Sequence, residues 1–552
     1  MLEELVEAQQ VSQLERLSKT RRGRHVLEKL GITYHTQHGI KVEIPRTIRE
    51  QLYVPPLPRN MHPQHHTRRL GGGSAGSVIA NRLSANLNIT VLLLEAGGLE
   101  TSSRQIPVVT AYNLGGHDDW AYWTVPQKKA CLSFREQRCP LPLGKVLGGS
   151  SVLNYMVYVR GKKFDYNRWD QKYGAKGWAY EDVLPHFNDI EDYRVGPLGG
   201  NWFPQSGIEI STSPFVAEWC SLPCVHGIYV KPCVNFEGNR AVGMTFTRYG
   251  KTQSVSARRE VILSAGTVGS AQILMLSGVG PKKDLEQLKI PLVSHLPVGR
   301  SIQDHVLFLT AIPVITDWQA GIPLFSLDDI AQYHSNRTAK PESPDIQLLL
   351  ISTQRANQLA RAELLNLGLL PEAYDSYLGP RDNDLGFRLA VINNRPKSRG
   401  RITLRSSDPN VYPNIDFRMM EHPDDAKVAA EGAKAFIDQI LNTDAMRSIG
   451  AKLWDITFPP CAEAGARWSL EYIECLFRHM ANSAWHTCCT APMGWHQAAV
   501  VDERLRVRGN ITDLRVADAS VMPDIVSGNT HAPTMMIGSK AAAMIMGDNG
   551  LQ

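Results

Sequence analysis

No apolar run in the 552-residue chain approaches the 18 residues needed to cross a membrane; stretches such as Val91–Leu94 and Leu348–Ile351 are short. A transmembrane helix is therefore excluded. An excess of one charge is also missing. Lys and Arg total 59 against 54 Asp and Glu, a net charge of +5, too weak for a chain of this size to argue for a nucleic-acid partner. No cysteine spacing fits a zinc site, so no metal is expected. Low-complexity blocks are absent, because the 44 glycines and 33 prolines are spread out. The opening Met1-Leu-Glu-Glu-Leu-Val-Glu has no basic region followed by an apolar one. It is not expected to be a secretory signal, and the compartment stays undetermined.

What is present is ordinary for a folded protein: 43% hydrophobic and 20% charged residues, which excludes disorder over most of the length. The length suits two to four domains, or one large two-lobed enzyme with room for a bulky cofactor. The nine cysteines leave at least one thiol free if the others pair. Cys131 and Cys139, eight apart in a loop-like stretch, either close a small disulfide or stay as thiols. Cys488 and Cys489 read as small, buried packing residues.

Leu2, Leu5, Val11, Leu14 and Leu17 have helical spacing and predict a helix over Met1–Leu30. Ile32–Ile44 suits a short hairpin around Gly39, and Pro55–Arg69 reads as a linker. At Gly71 the character changes. A glycine-rich turn leads into a helical pattern over Ser77–Leu83, then an apolar run Ile89–Leu94 that ends in Glu95. Such a run fits a strand buried on both faces. Arg259–Leu263 is a second such strand, followed by a helix at Ser270–Leu276. Leu514–Val516 is a third, followed by Asp518 and a helix from about Thr534 to Met546. These signals predict an α/β chain of two lobes: a dinucleotide-binding, Rossmann-like lobe assembled from distant segments, and a second lobe inserted between them. The expected divisions are an atypical N-terminal extension and linker (1–70), the first part of the nucleotide lobe (71–195), a mixed stretch returning to it (196–300), the substrate lobe with an antiparallel sheet (301–480) and a C-terminal catalytic segment (481–552).

Gly71-x-Gly73-x-x-Gly76 is the dinucleotide fingerprint. Its glycines permit a tight turn, close approach of the backbone to a pyrophosphate and close helix packing. Glu95, about twenty residues further on, is placed to accept hydrogen bonds from the ribose hydroxyls. Gln64–Leu70, where the first strand belongs, contradicts this pattern. Two arginines and two histidines suit the centre of a parallel sheet poorly, so this strand is expected to be missing or replaced.

Gly144–Gly161 and Gly266–Gly280 resemble the two signatures of the glucose–methanol–choline (GMC) flavin oxidoreductases. Val298-Gly-Arg-Ser-Ile-Gln-Asp-His305 and Arg515-Val-Ala-Asp-Ala-Ser-Val-Met-Pro523 are similar to further family segments. The Cys131–Cys139 loop resembles the arthropod glucose-dehydrogenase-type branch. The resemblance runs from about Gly71 to the C-terminus and implies FAD rather than NAD. It implies that the glycine loop and Glu95 hold the ADP half. Val146–Val157 would then pass along the flavin, with Val146, Gly149, Asn154, Tyr155, Met156 and Val157 in contact. Trp485 is implied beside the flavin, Asp518 and Ala519 by the pyrophosphate and ribityl chain, and Thr530 and His531 at the pyrimidine edge. The catalytic histidine falls at His486 and its partner at Asn529.

Those residue types suit the chemistry. Oxidising an alcohol removes a hydroxyl proton, which histidine accepts near neutral pH, and a hydride, which the flavin takes. An amide holds the oxygen in line. The implied partners are a small alcohol or sugar and an electron acceptor, oxygen or a quinone-like compound.

Three stretches depart from the family: the first 70 residues, Pro197–Phe236, and a shortened insert around Thr338–Pro344. They keep a second reading open, a non-catalytic relative with impaired FAD binding. Asn88, Asn336 and Asn510 each begin an Asn-x-Ser/Thr triplet. Modification is expected to be improbable at Asn88, at the entry to a buried strand.

Overall fold

The computed structural model describes residues 33–35, 41–43, 64–100, 114–192, 233–248, 251–316, 327–333, 344–353, 358–381, 384–439 and 441–551. The expected N-terminal helix, Cys220, Cys224, Asn336, nearly all of Pro197–Phe236 and all but the last residue of Thr338–Pro344 lie outside them. Two units divide at Met61 and His62. In the first, β1 (Thr33–His35) pairs antiparallel with β2 (Lys41–Glu43), a hairpin that spans Gly39 as its turn chemistry suggests.

In the second unit the nucleotide lobe starts with β3 (Gln64–Leu70), α1 (Ser74–Ser84) and β4 (Val91–Leu94). The helices α2 (Lys163–Tyr173) and α3 (Tyr180–Ile190) follow. Next come β5 (Cys233–Glu237), β6 (Arg240–Arg248), β7 (Lys251–Leu263) and α4 (Gly266–Leu276). The strand order is β4-β3-β7-β6-β5. β3 is thus neither missing nor linker. Leu70 pairs in parallel with Leu94 on one side and Leu263 on the other. Backbone pairing does not depend on side-chain polarity, and the junction after β3 holds its end in place. The Gly71 N–H donates to the Leu94 carbonyl at 2.8 Å. Gly71 has φ +94°, and a Cβ on it would sit 2.1 Å from the Ser264 oxygen. Only glycine lets β3 and β7 end this close together. β7 changes character along its length: exposed positions alternate in its outer half, where it forms a hairpin with β6, and Val261–Leu263 are fully buried.

The second lobe holds β8 (Val306–Ile315), β9 (Leu327–Tyr333), β10 (Ile346–Thr353), α5 (Gln358–Asn366), β11 (Gly386–Asn393), α6 (Pro423–Gln439), β12 (Lys452–Leu453), α7 (Leu470–Met480) and β13 (Asn482–Ser483). Its sheet runs β9-β10-β11-β8-β12, with β13 also on β8, and every pairing is antiparallel. Side chains alternate between its faces. Phe308 stacks on Phe477 of α7 at 3.9 Å, while Leu307, Leu349, Ala390 and Ile392 form a separate apolar cluster. The pairing of β13 with the start of β8 has a functional result. It sets Val306 opposite Ser483, so the Ala484 N–H reaches the His305 carbonyl at 3.1 Å.

The chain then returns to the first lobe. β14 (Leu514–Val516) pairs in parallel with β7, and α8 (His531–Asp548) packs on α1. α8 is apolar on nearly every side and buried, as a core helix must be. A Cβ on Gly538 would meet the Ala75 oxygen at 2.7 Å, so glycine sets how near the two helices lie. Among the described residues no helix is long and apolar enough to cross a membrane.

Candidate active site

The glycine fingerprint forms a cradle at the N-terminus of α1. Gly73 is the N-cap, and it has no side-chain cap. No acid stands in the first turn of α1. The positive end of the helix dipole is thereby left for an anion. Gly76 lies against the Gly71 carbonyl, where a Cβ would come within 1.9 Å. Glu95 reaches back over the cradle: its carboxylate accepts from Gly72 N–H at 2.6 Å and Gly97 N–H at 2.9 Å. Burial pushes the Glu95 carboxyl up, and those amides oppose the shift.

The Gly144–Gly161 segment docks on this cradle. Gly148 N–H donates to the Gly72 carbonyl at 2.7 Å, and Val146 is fully buried. Gly149 has φ +56°, and a Cβ there would lie 2.7 Å from Gly73 Cα. Ser151 then links two helix starts, bonding Ser74 Oγ of α1 at 2.6 Å and His531 Nε2 of α8 at 2.9 Å. Two helix N-termini therefore converge where a pyrophosphate would carry its charge. Asn154 Oδ1 caps the Met156 N–H at 3.0 Å in a turn with Met156 at φ +63°, and Val157 follows, partly buried. Tyr155 stacks on Trp485, with centroids 6.0 Å apart, and donates to Glu363 of α5 at 3.2 Å.

Asp518 does something other than face the cradle with free oxygens. Its carboxylate accepts from Gly266 N–H (3.0 Å), Ser270 O–H (2.6 Å) and Ser520 N–H (2.8 Å), which ties β14 to the start of α4. Burial raises its pKa. Ala519 beside it is partly exposed, and Thr530 is the N-cap of α8. The glycine cradle, the uncapped helix start and the Ser74–Ser151–His531 convergence are chemically suited to the diphosphate of a dinucleotide.

His486 and Asn529 come together: Asn529 Nδ2 is 2.9 Å from His486 Nε2. The Oδ1 of Asn529 is buried and has no partner among the described residues, leaving an acceptor for an incoming group. Behind His486 stands His305, fully buried, with its Nδ1 2.9 Å from His486 Nδ1. The His486 N–H of the backbone donates to Asp304 Oδ1 at 2.8 Å, and Ser483 O–H donates to Asp304 Oδ2. Burial, with His305 adding to it, holds His486 well below the ordinary imidazole range. Burial alone brings His531 down to about 4 and dominates the drop of His305 to about 4. It pushes Asp304 up to about 7. His486 is therefore the neutral imidazole at neutral pH, with one ring nitrogen carrying a lone pair.

These shifts predict how stability changes with pH. Between 6.5 and about 4 the unfolded chain binds a proton at His305 and at His531 that the folded chain does not, and His486, held well below 6.5 by burial and by His305, acts in the same sense. Each removes ~1.4 kcal/mol of stability per pH unit of acidification. Asp304 acts in the opposite sense, since the fold holds its proton between about 7 and 3.8. His186, brought down to about 4 chiefly by burial, adds to the imidazole side, and the buried carboxyls of Glu95, Asp165 and Asp518, raised by burial, oppose it only at lower pH, so stability should fall as the pH drops below 6.5. Denaturant titrations across that range will show this, and a flat profile would contradict the buried neutral imidazoles.

Asp304 and His305 were not assigned from sequence, although both close the Val298–His305 segment. Ser74 and Ser151 carried no signal beyond their place in the motifs. Cys131 and Cys139 are disulfide-bonded, and so are Cys461 and Cys475, a pair that sequence spacing did not suggest. Cys488 and Cys489 are buried, but they bond to each other rather than only packing. Cys233 has no disulfide partner among the described residues. Asn88 is exposed in the turn before β4 rather than sheltered by that strand. A cleft lined by Tyr374, Arg388 and Trp454 contains neither His486 nor Asn529.

Residues 69–219 and 221–307 match the N-terminal model of the GMC oxidoreductases, and residues 396–538 match the C-terminal model. The match is split at Cys220, within Pro197–Phe236. Glucose dehydrogenase [FAD, quinone] of Drosophila melanogaster is 35% identical over 561 positions, covering 86% of each chain. The oxygen-dependent choline dehydrogenase of Burkholderia ambifaria is 32% identical over 548 positions, covering 86% of this chain and 92% of the relative. Among solved structures, pyridoxine 4-oxidase from Mesorbium loti superposes with a TM-score of 0.69 over 87% of this chain and 98% of that one. Its identity is 22%, so it speaks to the fold alone. Fold, site and sequence agree, and the chain belongs to the GMC oxidoreductase family.

Proposed function

We infer that the protein is an FAD-dependent oxidoreductase acting on the CH–OH group of a small alcohol or sugar. The observation that carries this reading is the His486–Asn529 pair, 2.9 Å apart, at the end of a chain segment whose neighbours build a dinucleotide cradle. Gly71, Gly73, Gly76 and the start of α1 would hold the diphosphate, with Glu95 beside the ribose. Val146–Val157, Trp485, Ala519, Thr530 and His531 would border the isoalloxazine and ribityl parts. Residues 301–480 would shape the substrate side. Bound FAD supplies a hydride acceptor.

The remaining work belongs to the chain's own groups. His486 Nε2 takes the hydroxyl proton, and Asn529 orients the oxygen. Trp485 and Tyr155 form a stacked wall that limits how the substrate carbon turns. The non-catalytic alternative rested on three departing stretches, the lost first strand among them, and Gln64–Leu70 supplies that strand. Purified protein should show the visible absorption of oxidised flavin and lose it anaerobically on addition of an alcohol or sugar substrate. A well-folded, colourless protein that does not take up added FAD would sink the reading. Oxygen or a quinone-like compound is the acceptor, and comparing oxygen uptake with quinone-dye reduction tells which.

Asn529→Ala should slow reduction by about 10-fold to 10²-fold while FAD stays bound, because the oxygen loses its anchor but His486 keeps its lone pair. Rapid-mixing measurement of flavin bleaching checks it. A rate equal to wild type would remove Asn529 from this role.

A further inference from the structure

We propose that His305 is a positioning residue: it fixes the tautomer of His486 so that Nε2, the nitrogen facing Asn529, is the one free to accept a proton. This rests on the reading of His486 as the base. The hydrogen bonds settle it from one end. His305 Nε2 is 2.9 Å from the Val526 carbonyl. A carbonyl only accepts, so Nε2 of His305 carries the hydrogen. His305 is fully buried and neutral, so its Nδ1 holds a lone pair. His486 Nδ1, 2.9 Å away, must then be the donor. The neutral His486 ring has one hydrogen, now spent on Nδ1, and its Nε2 is left bare. Only the NH₂ of the Asn529 amide can face a bare nitrogen, and Nδ2 is the atom found there at 2.9 Å. The chain Asn529→His486→His305→Val526 is thus consistent in one direction throughout.

The reverse direction fails at Val526, where two acceptors would meet. If His305 were protonated, both its nitrogens would donate and His486 would turn to the Nε2–H form, which cannot take the substrate proton. In the proposed state, the proton that His486 gains stays on the paired imidazoles, because the carbonyl at the far end cannot accept it. The other groups about His305 do not disturb the order. Asp304 is occupied by the His486 backbone N–H and Ser483, and the Asn394 carbonyl is a second backbone acceptor beside the ring, which like Val526 favours a hydrogen on His305.

The chain is testable without turnover. In the apoprotein labelled with [15N]histidine, the His486 ring, identified by its loss in His486→Ala, should show a protonated Nδ1 and a bare Nε2. The Nε2–H form would overturn the proposal. In the FAD-loaded enzyme, His305→Leu should lower the rate of flavin bleaching per bound FAD by about 10²-fold with little change in KM. His305→Gln, which keeps one donor and one acceptor, should recover most of that rate. It should also move the acid limb of the pH profile, since the proton no longer has a second imidazole to share. His305→Gln is expected to fold even if the leucine variant does not, and a pH profile identical to wild type would refute the assignment. His486→Ala run in parallel separates the two ideas. If it retains full rate, the reading of His486 as the base fails; if it loses rate while His305→Leu keeps it, only the role of His305 fails.

Discussion

His486→Ala is expected to lower the rate of flavin bleaching by a substrate alcohol ~10²–10⁴-fold, the usual share of a positioned general base. FAD content should stay near wild type. The reason lies in where the side chain sits. His486 touches Asn529 and His305, whereas the cradle is built from Gly71–Gly76, Glu95 and Ser151. Loss of the ring removes the proton acceptor and leaves the backbone bond to Asp304 intact, because that bond uses the main-chain N–H. The defect should shrink at high pH, where hydroxide and the ionised alcohol replace the missing base. Rapid-mixing absorbance across pH measures both effects. A variant that bleaches at the wild-type rate would show that another group takes the proton.

Much of this site was legible in the sequence because the chemistry is carried by short, contiguous motifs. The glycine spacing, the apolar run ending in Glu95 and the segments around His486 and Asn529 each announce a local geometry. β4, α1, the inner half of β7, β14 and α8 all fall where periodicity put them, within a few residues. β3 did not read as a strand, because its four basic or aromatic-basic side chains oppose the pattern of a central parallel strand. Its place comes from long-range pairing with Leu94 and Leu263 and from the tight turn at Gly71, none of which is a local property. His305 lies within a family-like motif, but nothing local in the sequence shows its task. Its task depends on β8 pairing with β13 across about 180 residues of chain, as does the capping of the His486 backbone by Asp304. The disulfide between Cys461 and Cys475 is hidden for the same reason: the two thiols meet only once α7 has folded.

Gly73→Ala and Gly71→Ala should separate cofactor binding from folding, since the two glycines are needed for different reasons. At Gly73 the backbone is ordinary, with φ −78°, and a Cβ would find nothing nearer than Gly149 Cα at 3.9 Å. Alanine fits there as far as the protein is concerned. The added methyl would lie over the uncapped start of α1, in the space where the diphosphate is proposed to approach. Gly73→Ala is therefore expected to fold and melt like the wild-type apoprotein but to bind FAD at least ~10²-fold more weakly, about 3 kcal/mol. At Gly71 the constraint is internal. Alanine at φ +94° would be strained, and its methyl would lie 2.1 Å from the Ser264 oxygen, so β3 and β7 would have to part. Gly71→Ala should lose stability with or without FAD. Calorimetry of both apoproteins and titration with FAD make the comparison. Equal FAD affinity in Gly73→Ala and wild type would move the diphosphate away from α1. A stable, FAD-binding Gly71→Ala would mean that the close approach of β3 and β7 is not what this glycine secures.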